Sequence, residues 1–389
     1  MGSAAASVVA VGGGATAYLT AGRRGTGGSG GTLPVHALGF QADLSRTHRA
    51  DGVAQERAVR LAVEQHNARA DITFRLALET ADDRGDPALA EQAAQRLIRA
   101  GVSAVLGPNT ASAARAAAPL YRAADTGMVL ISLDHATFDD ARLRTVCVTR
   151  APEDDLALPL ISYLAKVQPV ERTAVIDDRA AGPTGPEVTT QVEQYPPQKG
   201  TTSVHSVAAE SDDFGPAVRA AVAAKAQAVV FSGTTPERAA RCARALTEAG
   251  FSGPRLGTWH IMRPAFLQQT GPAGQDWLFS APFTDPGSVS RGFRAAYRAK
   301  YGTTPGRWSP EAYDAVGLVA GALKSLGGSA DVPPRSVLPR LFDVPYKGLV
   351  KTIRASTDGI DPKESGAAYF LFQAKGITFR FRGRSDQVK

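Results

Sequence analysis

Cysteine is nearly absent from this 389-residue chain, which has only Cys147 and Cys242. Two thiols 95 residues apart build neither a disulfide framework nor a four-ligand zinc site, and both read as small buried apolar side chains. The six histidines (His36, His48, His66, His135, His205, His260) show no H-x-x-x-H or H-x-x-E-H spacing, so no metal site is legible. Lysine is scarce too: 34 of the 44 basic residues are arginine. The net charge of +7 is scattered with no run of five basic residues, which argues against a nucleic-acid partner. Charged residues at 21% and hydrophobics at 43% are ordinary for a globular protein, and the length suggests two or three domains.

Catalytic signatures are missing as well. No G-x-G-x-x-G lies between a strand and a helix, no G-x-x-x-x-G-K-[ST] occurs, and G-x-S-x-G appears only within the glycine-rich linker at 27–31, not at a strand-to-helix turn. Paired carboxylates (Asp82-Asp83, Asp139-Asp140, Asp154-Asp155, Asp177-Asp178, Asp212-Asp213) sit at strand or helix ends, where they cap helices or face water. No nucleophile, base and orienting acid fall on neighbouring loops. The sequence therefore reads as a non-enzyme without a cofactor.

Residues 1–21 are small, apolar, uncharged and interrupted by Gly12 to Gly14, and Arg23-Arg24 and a glycine-rich linker follow. No basic residue precedes the apolar stretch, as a secretory signal would require, and no lipobox cysteine stands in it. The simplest reading of residues 1–32 is the remainder of a membrane-anchoring or export segment with its linker. A disordered leader is the alternative.

From Leu33 onward, β-rich runs alternate with amphipathic helices. The run 33–40 is strand-like. Asp51 reads as the cap of a helix to Asn67, with Ala58, Leu61 and Ala62 at helical spacing. Residues 73–80 alternate as a strand, and Asp86-Pro87 opens a helix that Gly101 closes. Strands are expected at 102–107, 128–132, 145–149, 173–178, 203–208 and 228–233. Helices are expected between them, to 249, and again at 288–301, 309–325 and 335–342, with strand-like runs at 349–354, 368–373 and 377–382. Strand–helix–strand units need crossovers, so the sheets are mostly parallel and covered by helices. There are too many strands for one modest sheet, and an α/β fold of two doubly wound lobes is expected.

Eleven local signatures follow one another in a fixed order. They include LAVEQHN (61–67), ADDRGDP (81–87), AVLGPNTASAARAAAPLY (104–121), VLISLDHATF (129–138), RAPEDD (150–155), AVIDD (174–178), AVVFSGTTPE (228–237), RALTEAGFSGPRLGTW (244–259) and EAYDAVGLVAGAL (311–323). In this order they resemble the type I periplasmic binding proteins, specifically the family of the leucine/isoleucine/valine-binding protein. The likeness runs from about Val35 to about Phe381. It implies two lobes joined by three crossing segments, with the ligand in the cleft between them. The crossings should lie near Thr149–Pro152, Ser280–Phe283 and Lys347–Thr352. The first lobe would be 33–150 with 283–346, and the second 151–282 with 347–389.

The resemblance also implies site residues. The first lobe would grip a ligand carboxylate with Thr110, Ala111 and Ser112, and with Asp134, His135, Ala136 and Thr137. Amides at a helix N-terminus suit an anion, although Thr110 and Ser112 also read as simple caps. In the second lobe the sequence departs from the pattern. An expected tyrosine falls on Ala181, an aromatic on Thr234, and the acid that meets the ligand ammonium falls on Trp259. The family's disulfide positions are empty. A buried amine needs a carboxylate or an aromatic face. Trp259 offers the second, and Asp134 and Asp177 are candidates for the first.

The reading that follows is an extracytoplasmic solute-binding protein, membrane-associated or secreted. It closes its lobes on a small amino-acid-like ligand for ABC-type uptake and partners a permease. The alternative is a ligand-sensing extracellular domain of a membrane receptor or kinase. A transcription regulator would need a helix-turn-helix before residue 35, where a glycine linker stands.

Overall fold

A computed structural model of the chain describes residues 32–138, 145–356, 359–360 and 368–389. The leader and linker reading falls on residues outside this set, as does the pair Asp139-Asp140.

The first lobe begins with β1 (Val35–Ala42), α1 (Arg49–Asn67), β2 (Arg75–Asp82), α2 (Pro87–Arg99), β3 (Ala104–Leu106), α3 (Ala111–Ala123), β4 (Gly127–Leu130) and β5 (Val146–Val148). These five strands form one parallel sheet in the order β2-β1-β3-β4-β5. The second lobe follows with α4 (Leu158–Lys166), β6 (Arg172–Asp178), α5 (Thr184–Gln194), β7 (Thr201–Val207), α6 (Gly215–Ala223), β8 (Ala228–Phe231), α7 (Pro236–Glu248), β9 (Arg255–Thr258), α8 (Pro264–Thr270) and β10 (Leu278–Ala281). Its sheet repeats the same winding as β7-β6-β8-β9-β10, and an antiparallel pair, β15 (Phe370–Lys375) and β16 (Thr378–Arg384), extends its far edge. The elements β9, α8 and β10 were not read from the sequence.

Both faces of each sheet are covered, so successive strand residues go to different cores. In the first sheet Leu106 and Val129 join Leu61 and Leu318, while Val105 and Met128 join Leu97 and Tyr121 on the other face. In the second, Ile176 and Phe231 join Val218 and Leu246, while Val175 and Val230 join Leu160 and Val192. This two-sided burial is why strands such as AVVF and AVL read as unbroken apolar runs rather than alternating ones.

Local signals place several element ends. Asp86 caps α2 as expected, its carboxylate accepting from the backbone N–H groups of Ala88 and Leu89 at 2.9 and 3.1 Å. Asp51 is a correction. The helix α1 starts at Arg49, so Asp51 lies inside its first turn, and its carboxylate pairs with Arg307. After β3 the chain turns at Gly107, where φ is +98° and a Cβ would lie 2.1 Å from the Gln41 carbonyl oxygen. No other residue fits that turn.

The chain passes from the first sheet to the second after β5 and returns after β10 to build α9 (Arg291–Tyr301), α10 (Ser309–Ser325) and α11 (Pro334–Asp343) on the first lobe. Short pairs follow: β11 (Tyr346–Lys347) with β12 (Thr352–Ile353), and β13 (Ala355–Ser356) with β14 (Gly359–Ile360). β13 and β14 lie against β5 of the first sheet, and β13 also touches α11, whereas the resemblance assigns residues from 347 onward to the second lobe. Two-residue strands carry no periodicity, so the sequence offers nothing to fix that boundary.

Trp277 is fully buried, with Phe266 and Phe279 at 5.4 and 6.5 Å between ring centres. Trp277→Ala should cost about 3–5 kcal/mol of stability, read from chemical denaturation. A loss below about 1 kcal/mol would contradict this packing.

Candidate functional site

The winding 2-1-3-4-5 reverses between the first and third strands of each sheet, and loops at the carboxyl ends there diverge to leave a crevice. In the first lobe these loops follow β1, β3 and β4. In the second they follow β6, β8 and β9. Apart from Asp177, which lies within β6, every sequence-predicted site residue lies on one of these loops or in the first turn of the helix that follows.

In the first lobe, Asp43 organises the loop after β1. Its buried carboxylate accepts the N–H groups of Ser45, Arg46 and His48 at 3.1, 2.7 and 2.8 Å. Asn109 ties this loop to the turn after β3, accepting Asp43 N–H at 2.8 Å. Thr110 is buried with extended backbone at the start of α3, yet its hydroxyl caps nothing and has no hydrogen-bond partner among the described residues. Ala111 follows it half-buried. Ser112 donates its hydroxyl to Gly85 O at 3.1 Å. The competing reading of these hydroxyls as caps therefore does not describe their bonds.

Asp134 is 3% exposed and fully engaged. One oxygen accepts Ala136 N–H and the other accepts Glu153 N–H, so no oxygen is left bare for a ligand ammonium. Asp177, the other candidate, accepts from the hydroxyls of Thr189 and Ser206 and pairs with Arg179 at 2.7 Å. Ala136 is exposed, while Thr137 is half-buried and its carbonyl accepts from Arg115. Thr234 is half-buried on the loop after β8.

Trp259 sits where the lobes meet. It stands in a single 3-10 turn after β9, and its indole N–H donates to Glu153 at 3.3 Å. Its ring lies near Phe283 at 5.7 Å and under three guanidinium groups: Arg150 at 6.0 Å, Arg263 at 5.4 Å and Arg307 at 5.6 Å. Arg307 comes from the first lobe and Trp259 from the second, so this contact spans the cleft. Arg150 is 2% exposed and pairs with Glu153 at 2.5 Å. Burial pushes the Glu153 carboxyl up, but Arg150, His260 and the indole outweigh it and hold the group below its usual range. Asp134 and Trp259 are thus brought to two sides of Glu153, a residue the sequence reading did not single out.

On the acidic side, His135 lies 3.6 Å from Asp154. Burial and the neighbouring Asp154 push Glu187 up to about 7. Among the described residues no group of His, Cys, Asp and Glu has the arrangement to hold a metal ion, and no helix is long and apolar enough to cross a membrane.

The model of a periplasmic binding protein family matches residues 37–375. The chain belongs to the periplasmic binding protein family. No curated protein sequence matches it at a significant level. Similar solved structures include a putative branched-chain amino acid ABC transporter from Rhodospirillum rubrum, 19% identical, with a TM-score of 0.72 over 89% of this chain and 99% of that one. An ABC transporter substrate-binding protein from Desulfitobacterium hafniense in complex with leucine is 21% identical, with a TM-score of 0.69 and the same coverage. A solute-binding protein from R. palustris in complex with benzoate is 15% identical, with a TM-score of 0.61 over 90% of this chain and 96% of that one. At these identities the likeness establishes a shared fold, the type I periplasmic binding protein α/β fold.

In this family member a second cluster of buried charge lies along α10. Glu311 accepts Thr284 N–H at 2.8 Å, and Asp314 accepts Leu349 and Val350 N–H at 2.7 and 3.0 Å. Lys351 is buried beside both acids, and its ammonium has no hydrogen-bond partner among the described residues. A cavity of about 410 Å³ lies elsewhere, between α1 and α10 at the opposite end of the first sheet, lined by His66, Phe74, Tyr313 and Tyr346.

Burial raises Asp314 from 3.8 to about 7, so across that window the folded chain keeps a proton that the unfolded chain releases. Burial lowers Lys351 from 10.5 to about 8, which reverses the sense above pH 8. This cluster should therefore weaken folding as pH rises from 4 to 7 and strengthen it from 8 to 10. In Asp314→Asn the thermal midpoint relative to the parent should rise across pH 4 to 7. A pH-independent difference would show that Asp314 is ionised throughout.

Proposed function

We propose that this chain is an extracytoplasmic solute-binding protein that closes its two lobes around a small amino-acid-like ligand for ABC-type uptake. The observation that carries the reading is the contact of Trp259 from the second lobe with Arg307 from the first, at the carboxyl ends of both sheets. Doubly wound sheets bind ligands at that end, and two such sheets facing each other make a cleft that a hinge can close. Family membership supports the same conclusion, and the similar structures from D. hafniense and R. palustris are described with leucine and benzoate. The chemistry on view is binding chemistry: cations, an indole and backbone donors. Both cysteines are fully buried, and burial pushes their thiols well above the usual range.

Binding should be visible as stabilisation. A ligand present at 100 times its dissociation constant adds about 2.7 kcal/mol to folding. We expect a raised thermal midpoint with at least one of leucine, isoleucine, valine or benzoate. Trp259→Ala should weaken that ligand at least tenfold, about 1.4 kcal/mol. Full-strength binding by Trp259→Ala would place the ligand away from this cleft.

A further inference from the structure

We infer that the ligand carries a carboxylate, and that this group docks against Trp259 in the grip of Arg263 and Arg307, a charged subsite spanning the two lobes. This rests on the solute-binding reading above and adds the chemical class of the ligand. The charge balance around Trp259 carries it. Of the three guanidinium groups on the indole, Arg150 is matched by Glu153 and Arg307 by Asp51. Arg263 has no carboxylate. Among the described residues its guanidinium makes neither a hydrogen bond nor an ion pair, only the contact with the Trp259 ring. It is nevertheless half-buried, and burial together with Arg307 lowers its proton affinity, which Asp51 only partly offsets. Taking a cation from water without a counter-ion is costly. A bound carboxylate removes that cost, because a guanidinium offers two parallel N–H donors that match its two oxygens.

The acids nearby do not complete the balance. Glu153 already accepts from Arg150 and from the Trp259 indole, with His260 at 3.7 Å. Burial lowers the proton affinity of His260, against the pull of Glu153. Of the first-lobe hydroxyls, that of Ser112 is already donated to Gly85 O. The Trp259 and Phe283 rings supply an apolar wall beside the cations for the ligand's body.

The test is calorimetric titration of the full chain with two matched pairs, L-leucine against L-leucinamide and benzoate against benzamide. At least one carboxylate should bind, with its amide at least tenfold weaker. Arg263→Gln should abolish that difference by weakening the carboxylate and not the amide, and Arg263→Lys should restore part of it. A residue that only supported the fold would weaken both members of a pair alike. If an amide binds as tightly as its acid, or the difference survives in Arg263→Gln, the carboxylate subsite is wrong while solute binding stands. If none of the four compounds gives heat, and neither isoleucine nor valine raises the thermal midpoint, the solute-binding reading falls with it.

Discussion

A guanidinium buried to 2% exposure is the feature around which the two lobes are arranged. Arg150 stands just after β5, where the chain first leaves the first sheet. Its donors reach Ala151 O, Ser132 O and Glu153, and its flat face lies over Trp308 of the first lobe and Trp259 of the second. A buried ion pair contributes little net stability against a well-packed apolar replacement, but losing one partner leaves an uncompensated charge at a cost of about 3–5 kcal/mol. The arrangement is therefore demanding. Glu153 must stay beside Arg150, and Trp259 must stay beside Glu153.

The parallel sheets explain why that point is also where a ligand would enter. Parallel neighbours cannot be joined by hairpins, so each strand is followed by a helix that returns the chain to the starting edge. All strands then present carboxyl ends at one side, and the loops there are free of the packing that fixes sheet residues. With the same winding in both sheets, two sets of such loops face each other. The passages between lobes are tied to one another as well. The Tyr369 hydroxyl donates to Pro152 O at 2.8 Å, and the Ser280 hydroxyl to Leu156 O at 2.6 Å. These bonds hold the crossing segments together, as the hinge of a two-lobed protein requires.

Much of the fold was legible because its signals are local. The helix 309–325 matches α10 end for end, and Asp86-Pro87 marks α2, since a side-chain cap and an N1 proline act within one turn. The strands β9 (RLGT) and β10 (LFSA) were missed because Gly257, Thr258 and Ser280 interrupt them, so they lack the Val-rich apolar run that marks the equally short β3, β5 and β8. The site was half legible. Family likeness pointed to Trp259, and RAPEDD was noted as a signature, but nothing in the spacing pairs Arg150 with Glu153 over its own neighbours. Arg263 and Arg307 were not seen at all. They stand 44 residues apart on different lobes, and only the fold lays both over one indole. A cluster made of scattered cations leaves no trace in a chain with 34 arginines.

Asp134 shows how a correct position can carry a different job. The likeness put it beside the ligand, and it does sit at the end of the right strand, but both oxygens hold backbone amides. One of those amides belongs to Glu153, so Asp134 fixes the first residue of the Glu153–Arg150–Trp259 chain of contacts rather than reaching the cleft itself. Its carboxylate would be hard to replace by an amide there, because an asparagine has one acceptor for two N–H donors and would leave one buried donor unmatched. The acid that the family pattern has where this chain has Trp259 is thus not supplied by Asp134. What the cleft offers in its place is positive charge, and the recognition of any ligand here is set first by that sign.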